Sequence, residues 1–381
     1  MIRRQVMLLG ILFPLAACAV GRGMQTVQVL SDLAAGTLPA GVTREAAPFA
    51  AGSRRHDADL YHPTGWRPGP ALVLVPGASP QGRDDPRLVA FAGTLAKAGF
   101  RVLVPEIPAL RRMTLSAADA DIIADALRHL ADSQQAGEGR FLGLVAVSYA
   151  VGPAMLAAHR PGLAEDVDVL VGIGGYHDVE AVATWFTTGW HRVPADGTGG
   201  AGGPGAWQQG QPDSFGKWLF LRANAGRVRE PSDRAVLAEI AERRLRDPDA
   251  GLTDLVPRLG AEGRAVLAFL TNRDPSLVPG LIAGLPAPVR AEMAALDLAR
   301  RDFGAAGPHL ILVHGRHDRI IPHGQSLALA AAMRGADGES RAELHLVDGI
   351  GHVDAGGMTL GDGLVLAEAV YSLLALRDEG R

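Results

Sequence analysis

Leu144-Val-Ala-Val-Ser148-Tyr-Ala-Val-Gly152 is the stretch on which the reading of this chain turns. Its first part, with Phe141 upstream, is a short apolar run of the kind found in strands buried on both faces. Tyr149 to His159 is predicted helix. A serine at such a strand-to-helix switch can be held in a sharp turn with its Oγ outward. The residues two before and two after it must then be small. Here they are Ala146 and Ala150. The helix behind the serine offers backbone N–H groups to a developing negative charge. Ser148 alone would equally suit a plain helix N-cap, so its partners decide.

Working outward, apolar strands alternate with amphipathic helices. Ala71 to Val75 reads as a buried strand, Pro86 to Ala98 as a helix and Phe100 to Val104 as a strand. A helix over Ala117 to Ala131 follows, then the strand Phe141 to Val147 and another at Val167 to Ile173. From 178 to about 305 there is no clear buried strand. That region holds a Gly/Pro/Gln-rich loop, Ala195 to Gly216, and helical segments such as Asp233 to Arg246 and Pro288 to Arg301. Trp185, Trp190, Trp207 and Trp218 cluster near its start. The alternation resumes at His309 to Val313, Gln325 to Met333, Ala342 to Val347 and Leu364 to Leu376. This pattern predicts an α/β fold with a mostly parallel sheet of about eight strands and a mainly helical insertion. No internal repeat is visible.

Two later segments fall at strand ends. His314-Gly-Arg-His-Asp318-Arg-Ile-Ile-Pro322 follows the strand at 309–313, and Val347-Asp-Gly-Ile-Gly-His352 follows the last strand. With Ser148, these loops make the chain resemble the α/β-hydrolase superfamily, whose catalytic order is Ser, acid, His. The family elbow is G-x-S-x-G, and here both glycines are Ala. The resemblance implies Ser148 as nucleophile, His352 as the base and Asp318 as the residue that orients it. It also implies an oxyanion hole built from the backbone N–H groups of Tyr149 and Ala78, the latter in Val75-Pro-Gly-Ala78-Ser79, with Ser79 as a side-chain helper. The plainer readings are that Asp318 is a turn residue, His352 a surface histidine and Pro76-Gly77 an ordinary turn. Competing acids are Asp178 and Asp348. Competing histidines are His314, His317, His323 and His345, of which His345 lies along a strand.

The insertion resembles the superfamily's cap, which covers the nucleophile and supplies an apolar pocket. For any single tryptophan, a place in the insertion's own core is the simpler reading. His177-Asp178 lies at its base. The chemistry implied is ester hydrolysis of a small-molecule substrate with an apolar part, by way of an acyl-enzyme. Amide or peptide cleavage and acyl transfer use the same site, and a non-catalytic envelope binding protein on this fold is the rival from another class. A dehalogenase-like enzyme would carry Asp, not Ser, at the elbow. No cofactor or metal is expected. His314-x-x-His317 lacks a metal-site context, and Gly172-Ile-Gly-Gly175 lacks dinucleotide spacing. Net charge is −4, with no basic patch, so nucleic acid is not an expected partner.

The beginning of the chain carries a separate message. Met1-Ile-Arg-Arg4 is cationic, and Val6 to Ala17 is apolar but short for a membrane span. Leu15-Ala-Ala-Cys18 resembles a bacterial lipobox, and Cys18 is the only cysteine. The expectation is export, cleavage before Cys18, and anchoring in the cell envelope through a lipid on Cys18. Ala19 in place of Asp points to the outer membrane. Arg3-Arg4 as a twin-arginine signal, simple secretion and an uncleaved anchor are the alternatives. The chain then divides into a signal (1–17), a tether and N-terminal segment (18–52), a first core part (53–178), a cap (179–304) and a second core part (305–381).

Overall fold

The apolar runs pair into one eight-stranded sheet. A computed structural model of the protein describes residues 20–65, 69–133, 140–192, 205–304, 306–334, 340–352 and 358–379. The strands are β1 (Val42–Ala46), β2 (Ala58–Pro63), β3 (Ala71–Val75), β4 (Arg101–Pro105), β5 (Leu142–Val147), β6 (Val169–Ile173), β7 (His309–Gly315) and β8 (Ala342–Val347). Their order across the sheet is β1-β2-β4-β3-β5-β6-β7-β8. β2 runs antiparallel to both its neighbours, and all pairs from β4 to β8 are parallel. Every residue of β3 and β4 is buried, as strands covered by helices on both faces require.

Helices cover the two faces. Asp119–Ser133 and Val151–Ala158 pack on one, and Pro86–Lys97 and Leu360–Glu379 on the other. Pro86–Lys97 starts with a proline whose missing N–H costs nothing there, and Asp85 caps it by accepting from the Arg87 N–H at 3.0 Å. Parallel neighbours need crossover connections, which Pro86–Lys97, Asp119–Ser133 and Val151–Ala158 supply, while Leu360–Glu379 follows the last strand.

The expected tether takes another form. Residues 20–35 are helical, and Val42–Ala46 is the edge strand β1. Val29 and Leu33 of that helix pack into the layer formed by Pro86–Lys97 and Leu360–Glu379. Gly21, Gly23 and several polar residues break the apolar period that would have announced the helix. The β1 residues are largely exposed, so the strand has no apolar run to read.

Between β6 and β7 the chain leaves the sheet. The helices Val179–Thr188, Ser214–Asn224, Pro231–Arg246, Ala261–Thr271, Val278–Gly284 and Ala287–Leu296 share their own core, with Trp218, Leu237 and Ile240 at its centre. A short ribbon pairs Trp190–Arg192 with Trp207–Gln209, and its exposed second strand lies within the stretch read as loop. Residues 193–204, which include the start of that loop, lie outside the described residues, as do the signal segment, Cys18 and Ala19.

Candidate active site

Ser148 follows β5 directly, and its φ of +59° lies in the left-handed region that side chains avoid. Val147 before it is extended, and the chain turns at once through Ser148–Ala150 into Val151–Ala158. Such a conformation costs about 1–3 kcal/mol and survives only where packing imposes it. The packing is visible. Ala146 and Ala150 are fully buried. Ala146 pairs with Gly172 on β6, where an added Cβ would lie 3.0 Å from Leu312 and 3.4 Å from Val151. At Gly175 an added Cβ would come within 2.7 Å of Val151, so the helix lies close against the end of β6.

The Ser148 hydroxyl lies 2.6 Å from His352 Nε2, and His352 Nδ1 lies 2.6 Å from Asp318 Oδ2. Nδ1 therefore donates to the carboxylate, and Nε2 turns its lone pair to the serine hydroxyl. Asp318 Oδ1 accepts from the backbone N–H groups of Ile320 and Ile321, at 2.7 and 2.9 Å. Burial disfavours the Asp318 charge, but hydrogen bonds from His314 and His352 outweigh it. The carboxyl is held well below the usual carboxylate range.

His314 contacts Asp318, not Ser148. It is buried, and its Nε2 lies 2.9 Å from the Ile321 carbonyl and 3.3 Å from Asp318 Oδ2. A carbonyl only accepts, so Nε2 carries the proton and Nδ1 accepts from the Ser326 hydroxyl at 2.7 Å. Gly315 then lets the two loops meet. A Cβ there would collide with the carbonyls of Ile350 and Gly351, just before His352.

This is the α/β-hydrolase fold. The strand order, the antiparallel β2, and Ser148, Asp318 and His352 beyond the ends of β5, β7 and β8 carry that statement. No family model matches the sequence, and no curated protein does. Among solved structures, the chain is similar to the rice cell wall degrading esterase LipA from Xanthomonas oryzae, at 16% identity and TM-score 0.45, covering 93% of this chain and 95% of that one. It is also similar to a Mycobacterium tuberculosis puromycin-hydrolyzing peptidase (14%, TM-score 0.44, 88% of this chain) and a Pyrococcus horikoshii acylaminoacyl peptidase (10%, TM-score 0.45, 89% of this chain). The chain spans only 39% and 42% of the length of those two peptidases.

The other α/β-hydrolase positions fall as follows. Tyr149 begins the turn after Ser148, where the first N–H groups of a helix have no partner within it. Ala78 lines the same cavity as Ser148, and a Cβ added at Gly77 would lie 3.6 Å from the Ser148 Cβ. The Ser79 hydroxyl donates to Asp85 at 3.0 Å, which anchors the loop. Asp178 caps the helix Val179–Thr188. Asp348 pairs with Arg316 at the surface, His317 is exposed, and His345 faces Glu343. His323 stands at the start of Gly324–Ala332, away from the serine–histidine contact. His177 and Asp178 present their backbone N–H groups to Gln325.

The sequence reading missed how the loop over the serine is held. The Tyr149 hydroxyl donates to the Ser116 carbonyl at 3.2 Å and accepts from the Ser116 N–H at 2.7 Å. From the cap, Asn224 bonds the Met113 carbonyl, Arg227 the Leu115 carbonyl and Glu292 the Ala117 N–H. The segment 113–117 is thus fixed between elbow and cap. Phenylalanines, not tryptophans, line the cavity on the cap side: Phe186, Phe215, Phe220 and Phe269. Trp185 instead ties the cap to the acid loop, donating to the Arg319 carbonyl at 3.2 Å. Among the described residues no group of three His, Cys, Asp or Glu is placed to hold a metal.

Proposed function

We propose that this protein is a serine hydrolase that cleaves a carboxylic ester through an acyl-enzyme on Ser148. The continuous chain from Ser148 Oγ through His352 to the buried Asp318 carries the reading. His352 Nε2 takes the Ser148 proton as Oγ attacks the ester carbonyl carbon. The carbonyl oxygen becomes an oxyanion facing the N–H groups of Tyr149 and Ala78. When the tetrahedral species collapses, the C–O bond to the alcohol breaks and His352 returns the proton to it. Water then repeats the sequence on the acyl-enzyme, with His352 as base, and frees the acid. The apolar cavity beside Ser148 supports an ester with an apolar part.

The test is fluorophosphonate labelling of the purified protein, with mass mapping of the adduct and Ser148→Ala as control. An adduct on Ser148 supports an activated serine. A folded protein that takes no label would move the reading to a binding scaffold on the same fold. Paired ester and amide substrates with one acyl group then separate esterase from amidase. We also propose export and lipid anchoring at Cys18, on the Leu15-Ala-Ala-Cys18 motif.

A further inference from the structure

The cavity that meets Ser148 does not stop beneath the cap. It has a volume of about 930 Å³ and continues down the opposite flank of the sheet, between β5–β7 and the helices Pro86–Lys97 and Leu360–Glu379. Residual exposure along the central strands traces it. On β6, Val169 is 0% exposed, Val171 8%, and Ile173 is half-buried; on β7, Ile311 is 0% and Val313 8%. Both belong to the helix-covered face, where full packing should bury every position. The opening widens toward the strand ends, where Ser148 sits. At depth the cavity reaches Leu373, Phe100 and Val29 of the N-terminal helix, which closes its far end.

Its length follows from the C-terminal helix. Gly363, Leu366, Ala369, Leu373 and Leu374 all line it. Gly363 and Leu374 are eleven residues apart, about 16 Å at ~1.5 Å per residue. One leaflet of a bilayer's hydrocarbon core is about 15 Å, half of ~30 Å. An acyl chain as long as a membrane lipid's fits within that run. The walls at depth are Val, Leu, Phe and Ala, which offer such a chain contacts but no hydrogen bonds.

We infer that this flank tunnel is the acyl-binding site and that the substrates are long-chain acyl esters, with the chain running from Ser148 toward the N-terminal helix. The inference rests on the proposal that Ser148 is the acylated nucleophile. Ala369 projects into the tunnel six residues beyond Gly363, about 9 Å further along Leu360–Glu379 at ~1.5 Å per residue. An added Cβ at Gly363 meets nothing within 4 Å, so a larger side chain enters open space. Ala369→Phe and Gly363→Leu therefore obstruct the tunnel at two depths.

The experiment is kcat/KM for p-nitrophenyl acetate, butyrate, octanoate, dodecanoate and palmitate at one fixed detergent concentration. Each methylene buried is worth up to about fourfold, from ~0.8 kcal/mol. The wild-type ratio of dodecanoate to butyrate should exceed about tenfold. That ratio should drop at least tenfold in Ala369→Phe, and the cut-off should move to shorter chains in Gly363→Leu. Wild-type turnover of butyrate with a profile that is flat or falls beyond it would overturn the tunnel and leave the hydrolase standing. If no ester is turned over and no fluorophosphonate adduct forms, the hydrolase reading fails. Displaceable binding of the fluorescent fatty acid cis-parinarate, weakened by Ala369→Phe, then still supports the tunnel, and absence of that binding overturns it.

Discussion

Asp318→Asn separates the charge of the acid from its shape. Oδ1 already accepts from the Ile320 and Ile321 N–H groups at 2.7 and 2.9 Å, and an asparagine must keep its carbonyl oxygen there. Its amide nitrogen then replaces Oδ2, 2.6 Å from His352 Nδ1. That nitrogen only donates. His352 must answer with an unprotonated Nδ1, which moves its proton to Nε2. Nε2 then points a proton, not a lone pair, at the Ser148 hydroxyl. His314 cannot relieve the conflict, because its Nε2 proton is committed to Ile321. A base in the wrong tautomer should cost about 10⁴ in kcat, roughly 5.5 kcal/mol in the barrier. Ester hydrolysis measured beside a thermal unfolding curve checks this. A folded variant within about tenfold of wild type would refute the assignment of Asp318 to His352.

Other outcomes follow from particular contacts. Gly315→Ala should lower kcat/KM at least a hundredfold (about 2.7 kcal/mol) with far-UV circular dichroism unchanged, because the new Cβ pushes back the loop that carries His352. Ala146→Gly and Ala150→Gly should leave kcat within about threefold of wild type, since both methyl groups already fit, and should each lower stability by about 0.4–1 kcal/mol in denaturant titration. Burial, then the nearby Glu292 charge, pushes the Asp119 carboxyl up to about 7. The folded state thus keeps a proton that the unfolded chain releases, and stability falls as pH rises from about 4 to about 7. Asp119→Asn should accordingly raise the melting temperature at pH 8, by up to about 4 kcal/mol of stability, and leave it little changed near pH 4. Cys18→Ser should move the protein from the membrane fraction to the soluble fraction and abolish labelling by an alkyne-tagged fatty acid.

What could be read from the sequence was set by burial. β3, β5, β6 and β7 are central strands, and their apolar runs stand out because both faces are covered. Ser148 and Asp318 could be named because each follows such a run, and His352 because it ends the Gly-rich turn after the last predicted strand. The edge strand β1 and the helix at 20–35 could not, since one is mostly exposed and the other buries only a narrow stripe. His314 was weighed as a competing base. Its four-residue spacing to Asp318 was the available signal, but nothing in the sequence says that its ring lies inside the acid loop. The cap's tryptophans drew attention by size, while the cavity-lining phenylalanines are scattered over three helices. The flank tunnel has no sequence signature, because a strand residue facing a cavity and one facing a helix are both apolar.

The most direct measurement of the central claim is to quench the protein during turnover of a p-nitrophenyl ester and weigh the peptide that contains Ser148. The account predicts a peptide heavier by one acyl group, formed with the first burst of p-nitrophenol and absent in Ser148→Ala. Steady turnover with no acylated peptide, or acylation at another residue, would contradict it.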